Sequence, residues 1–138
     1  MGLFGKTRKK VLFICMENAG RSQMAEAFFR LYTPKGYEPI SAGTRPTAEI
    51  NPTVVQVMKE LDIDISKQKP KMLTSEIIQD SIINVNMGCV NKNECPAVFM
   101  QNSIDWNIED PKEKSIEKVR EIRDDIKLKV MRFCKTLE

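Results

Sequence analysis

Apolar residues along the chain fall into two alternating rhythms. Val11-Leu12-Phe13-Ile14 is an unbroken run, the pattern of a strand buried on both faces. Met24, Ala27, Phe28 and Leu31 then recur at helical spacing, with Ser22 placed to cap that helix and Pro34 and Gly36 to end it. Residues 38–42 read as a short second strand running into a Gly-Thr-Arg-Pro turn. Asn51-Pro52 has the form of a cap and a first helical residue, and Val54, Val55, Met58 and Leu61 supply an apolar face behind it. Thr74 opens another short helical stretch, residues 81–87 predict a third strand, and 103–108 predict a fourth strand or a bent extended segment. From Ser115 on, Ile116, Val119, Ile122, Ile126, Val130, Phe133 and Leu137 mark one long amphipathic helix.

Strands alternating with helices predict an α/β sandwich around a mainly parallel sheet, in which ligands bind beyond the carboxyl ends of the strands. Cys15 ends the first strand and Cys89 follows the third, so both belong to that rim. With 138 residues, no internal repeat, no low-complexity run and no linker, the expectation is a single domain over 1–138, with residues 1–9 as a basic N-terminal tail.

Composition removes several function classes. A formal charge of +3 is too small and too dispersed to argue for nucleic acid. The apolar run after the basic start is too short for a secretory signal, and no stretch points to a membrane, so a cytoplasmic protein is expected. Nothing requires more than a monomer. The chain has no histidine, which excludes Cys–His and Ser–His catalysis and histidine ligation of a metal. It has four cysteines, Cys15, Cys89, Cys95 and Cys134, which in a leaderless chain suit catalysis or redox exchange better than structural bridges. No cofactor and no metal are expected, since the Cys89–Cys95 gap exceeds the usual spacing of a zinc pair. Cys134, on the last helix, reads as a small core residue.

The chemistry concentrates between the first strand and the first helix. Cys15 and Arg21 are separated by Met16, Glu17, Asn18, Ala19 and Gly20, and Ser22 follows. A loop of this kind turns successive backbone N–H groups inward and adds the positive end of the helix dipole, which makes an anion site. Arg21 offers a planar fork suited to two oxygens of a tetrahedral anion. The same field favours the thiolate form of Cys15, and Ser22 is placed to donate to that sulfur. Asn18 is placed to brace the loop, and Gly20 permits either a left-handed conformation or a close backbone approach. Asp110, before Pro111 in the loop ahead of the last helix, can bring a carboxylic acid to the rim to protonate a leaving oxygen.

These residues, with the segments at 41–46, 61–66, 86–89, 94–96 and 105–111, resemble the low-molecular-weight tyrosine phosphatase superfamily, most closely its thioredoxin-coupled arsenate reductase branch. The resemblance runs from about Val11 to the C-terminus. It implies a three-layer sandwich with a four-stranded parallel sheet and helices on both faces. It further implies Cys15 as nucleophile, Arg21 as oxyanion clamp, Ser22 as thiolate stabiliser, Asn18 as loop brace and Asp110 as acid.

Within that resemblance two activities share a first step, attack of Cys15 on a bound oxyanion. A phosphatase then hydrolyses a phosphocysteine and needs one cysteine. An arsenate reductase needs two more thiols, and Cys89 and Cys95 stand in a polar segment beyond the third strand. The branch resembled implies Cys89 attack on Cys15, Cys95 attack on Cys89, and regeneration by thioredoxin or a similar dithiol. Lys112 and Glu113 follow Pro111 where the phosphatases carry tyrosines, so a phosphotyrosine ring has no obvious stacking partner. Arsenate reduction is therefore the leading expectation, with tyrosine phosphatase as the alternative. Some reductases hold potassium beside the loop. Here Lys69 and Lys71 follow the Asp-Ile-Ser segment near Glu26 and Ser41, which predicts an ammonium in the cation's place.

Overall fold

The computed structural model describes residues 8–88 and 102–138. Four strands, β1 (Lys9–Cys15), β2 (Tyr37–Gly43), β3 (Ser81–Asn86) and β4 (Ser103–Asp105), form one sheet in the order β2-β1-β3-β4. All three pairings are parallel. Among the described residues four helices accompany it: α1 (Arg21–Tyr32), α2 (Pro52–Lys59), α3 (Ser75–Gln79) and α4 (Ile116–Thr136).

The unbroken apolar run of β1 becomes two cores. Because side chains alternate along a strand, Val11, Phe13 and Cys15 face one side of the sheet and Leu12 and Ile14 the other. On the first side lie α1, α2 and α4, with Met24, Phe28, Val54, Met58, Ile126 and Val130 in contact. On the second, Ile78 of α3 packs with Leu12, Ile14 and Ala42. Trp106, just past β4, lies between the rings of Phe13 (5.9 Å) and Phe133 (6.1 Å) and closes the edge of the larger core.

Local chemistry sets the element ends largely as expected. Asn51 accepts from the Thr53 N–H ahead of Pro52, Thr74 from Ile77, and Ser115 from Lys118. Three expectations change. The basic tail does not reach residue 9: Lys9 is already in β1, paired with Tyr37. Leu31 is exposed at the end of α1, and Phe29 is buried in its stead, against Phe13 and Phe133. Ser22 caps nothing, for α1 begins at Arg21 with Gly20 in the cap position and no side-chain cap. Among the described residues no helix is long and apolar enough to cross a membrane.

Candidate active site

The carboxyl end of β1 opens onto a pocket of about 210 Å³ lined by Cys15, Met16, Glu17, Ala19, Gly20 and Arg21 on one bank. Asp110, Pro111 and Lys112 form the other bank, and Asn51 closes one end. The sequence-predicted loop and the predicted acid therefore meet at one site. Asn18 and Ser22 lie behind it, fully buried. Cys89 and Cys95 lie outside the described residues.

The orientation of the loop peptides follows from where their carbonyls go. Those of Cys15, Met16, Glu17 and Ala19 accept from the backbone N–H groups of Thr44, Arg45, Thr47 and Asn51, at 3.4, 2.8, 3.2 and 2.9 Å. The Asn18 carbonyl takes the Gln23 amide at 3.0 Å, and that of Gly20 takes the Met24 N–H. In a planar trans peptide the N–H points opposite to the carbonyl. Five outward carbonyls from Cys15 to Ala19 therefore turn the following N–H groups toward the pocket, at the N-terminus of α1. Among these, the Asn18 N–H donates to Cys15 Sγ at 3.2 Å.

Asn18 is the brace. It holds φ at +52°, a left-handed conformation that asparagine tolerates better than most residues. Its Oδ1 accepts from the Lys71 N–H at 2.8 Å and from Gln23 at 3.0 Å, while its Nδ2 donates to Ser22 Oγ at 2.7 Å. The Ser22 Oγ lies 2.9 Å from Cys15 Sγ, and its bond from Asn18 leaves the hydroxyl proton free for the sulfur. The Asn18 N–H and the Ser22 hydroxyl thus both face the sulfur. Gly20 has φ of −143°, so it serves by close approach and not by a left-handed turn. A Cβ there would lie 3.0 Å from Pro111 Cγ, and its absence lets the two banks touch.

Arg21 is buried and aimed. Its Nη1 donates to the Ile108 carbonyl at 2.8 Å, and Ile108 in turn donates to the Met87 carbonyl at 2.8 Å. Its Nη2 sits 3.7 Å from Asp110 Oδ2. Asp110 is more than half exposed and accepts the Lys112 N–H at 3.0 Å. A sulfur nucleophile, inward N–H groups, a fixed guanidinium and an exposed carboxyl together suit attack on a bound tetrahedral oxyanion with protonation of the departing oxygen.

Several supports were not legible in the sequence. Gln23, fully buried, donates to Asn18 and to the Lys69 carbonyl and accepts from Gln68 at 2.7 Å. Gly43 lies against the loop so closely that a Cβ would fall 2.5 Å from the Met16 oxygen. Lys112 Nζ donates to Glu17 Oε2 at 3.0 Å across the pocket, and that carboxylate holds the ammonium above the usual lysine range. One available signal was the placement of Gln23 and Glu26 on the buried side of an amphipathic helix, where a polar residue needs a partner.

Lys71, and not Lys69, supplies the ammonium expected behind the loop. Its Nζ lies 3.2 Å from the Lys69 carbonyl, 3.5 Å from Ser41 Oγ and 3.7 Å from Glu26 Oε1. These oxygens do not fit an additional cation, because a charged nitrogen already stands among them.

Comparison with known proteins agrees with this geometry. Residues 10–138 match the family described as low molecular weight phosphotyrosine protein phosphatase. The arsenate reductase of Staphylococcus aureus is 33% identical over 127 residues, covering 91% of this chain and 96% of that protein. A solved arsenate reductase in the phosphate binding state superposes with a TM-score of 0.84 at 32% identity, covering 94% of this chain and 99% of that one. A thioredoxin-dependent arsenate reductase from Corynebacterium glutamicum gives 0.79 at 35% identity, covering 98% of this chain and 64% of that one. The chain belongs to the low molecular weight phosphotyrosine protein phosphatase family.

Proposed function

We propose that this protein is an arsenate reductase that converts arsenate to arsenite through Cys15, Cys89 and Cys95. The observation that carries the chemistry is the Cys15 sulfur, faced by the Asn18 N–H and the Ser22 hydroxyl on the floor of a pocket that also presents Arg21 and Asp110. Two facts favour arsenate over an aryl phosphoester. No aromatic residue lines the described pocket. The relatives named above that share about a third of their residues with this chain are arsenate reductases.

In this reading the loop N–H groups of residues 16–20 and the Arg21 guanidinium hold arsenate. The Cys15 thiolate attacks arsenic and forms a sulfur–arsenic bond, while Asp110 protonates the departing oxygen, which leaves as water. The Cys89 thiolate then attacks Cys15 Sγ. The sulfur–arsenic bond breaks, its electron pair stays on arsenic, and arsenite leaves with a Cys15–Cys89 disulfide behind it. Cys95 attacks Cys89 Sγ, frees the Cys15 thiolate and leaves a Cys89–Cys95 disulfide. An external dithiol, of the thioredoxin type, reduces that bridge. Two electrons reach arsenic, and two thiols are oxidised.

The test is one arsenate turnover without reductant, followed by mass mapping of the cysteines. A Cys89–Cys95 bridge is expected, and Cys89→Ser is expected to abolish repeated arsenate reduction while sparing hydrolysis of an aryl phosphate. A Cys89→Ser variant that still turns over arsenate would overturn the relay. Fast phosphate release with no arsenite in the native protein would favour a phosphatase.

A further inference from the structure

The relay leaves one pair of pocket side chains without a task. Glu17 and Lys112 stand on opposite banks, joined at 3.0 Å, and both line the pocket with Cys15 and Arg21. A carboxylate is an odd residue for a loop that captures a doubly charged anion, because it repels the ligand the N–H groups attract. It cannot be moved away by a main-chain shift, since the Glu17 carbonyl is held by the Thr47 N–H. Lys112 is fixed as well: its own N–H donates to Asp110 Oδ1, so the turn that presents the acid also delivers the ammonium. Among the described residues the other charges lining the pocket are Arg21 and Asp110, 3.7 Å apart, which the mechanism already uses, so the Glu17–Lys112 pair is the one left to tune the mouth.

We propose that Lys112 determines the affinity of the site for tetrahedral oxyanions by cancelling the Glu17 carboxylate, and that Glu17 in turn holds that affinity down. The proposal rests on the loop being an oxyanion site, as in the function assigned above. It makes the two partners act in opposite directions, which a merely structural strut would not. Removal of Lys112 leaves a bare carboxylate facing the incoming anion, so binding weakens. Removal of Glu17 leaves a bare ammonium, so binding strengthens. A single charge acting on a dianion across a solvated mouth changes binding by about threefold to tenfold at low salt. The effect fades once the Debye length falls below the separation.

The experiment is calorimetric titration of the full chain with inorganic phosphate, at low and at high sodium chloride. Lys112→Met is expected to weaken phosphate binding about threefold to tenfold, and Glu17→Gln to tighten it by a similar factor. The double variant is expected near the native affinity, and Lys112→Arg keeps it. Both single-variant shifts should shrink toward unity at high salt, and the arsenate KM should follow them with kcat little changed. Shifts in the same direction for both single variants, no shift in either, or shifts that persist at high salt would each overturn the proposal. Phosphate binding does not depend on arsenate turnover. If the opposite-sign pattern holds while arsenate is never reduced, only the reductase assignment fails; if arsenate is reduced and the variants bind alike, only the charge balance fails.

Discussion

The two banks of the pocket are held by different means. On the loop bank, every carbonyl from Cys15 to Gly20 has a hydrogen-bond donor, and the bracing side chains of Asn18, Ser22 and Gln23 are fully buried. On the opposite bank, Asp110 and Lys112 are exposed by more than half and are placed by one Asx turn and by ion pairs. Exposed pairs hold weakly, whereas a buried network loses the full desolvation cost of any donor left unpaired. The difference assigns two tasks. The loop bank fixes the line of attack before a ligand arrives. The acid bank can follow the oxygen as it departs.

Gly43→Ala strikes the loop bank hardest. The new Cβ would press on the Met16 oxygen and the Asn18 nitrogen, both backbone atoms without freedom to yield, so the loop must shift. An arsenate kcat/KM reduced about a hundredfold is expected, the usual scale for misplacing reactive groups by an ångström. Activity within a few-fold of native would make the loop bank as compliant as its partner. Asp110→Asn tests the other side. It removes the transferable proton, so kcat should fall about a hundredfold, while KM should not rise, since the neutral amide adds no negative charge to the mouth. A raised KM would mean that Asp110 binds the anion and is not its acid.

Cys134 belongs to neither bank and serves as a control on the scaffold. Burial, with a smaller contribution from the charge of Glu138, pushes its thiol up from 9.0 to about 11. The neutral thiol is the form the fold prefers, so this contribution is complete below the unfolded value and disappears as pH rises through the folded one. Stability to urea should therefore decline between about pH 9 and pH 11, by no more than about 3 kcal/mol from this group. The decline should be shallower in Cys134→Ala; equal slopes in both proteins would remove the assignment. Smallest of all is the expected response to potassium. Replacing sodium by potassium at constant ionic strength should leave arsenate turnover unchanged, and a steep rise would show that Lys71 does not fill its oxygen cage.

The order of strands and helices, and the joint placing of Cys15 and Arg21 on the rim, could be read from the sequence because they rest on local rules, whereas Asp110 is placed there by the family resemblance. An apolar run of four, a cap such as Asn51, and a rim shared by parallel strands need no knowledge of distant residues. What escaped depends on contacts across the chain. Ser22 suits a cap by composition, but α1 begins at Arg21, so Ser22 lies inside the first turn and its hydroxyl faces Cys15 and Asn18 instead. Leu31 kept the helical rhythm yet falls where α1 has run past the core. Glu17 and Lys112 are 95 positions apart, and no local pattern pairs them.

The ammonium of Lys71 gives the loop a counter-charge that belongs to the chain itself. A dissolved ion in that position would occupy it by mass action and leave when the medium was depleted. A tethered nitrogen has a local concentration set by the peptide, and dilution cannot reduce it. Its backbone N–H grips Asn18 while its side chain grips the cage behind, so the same residue that joins Arg30 in pairing with Glu26 also keeps the brace in register.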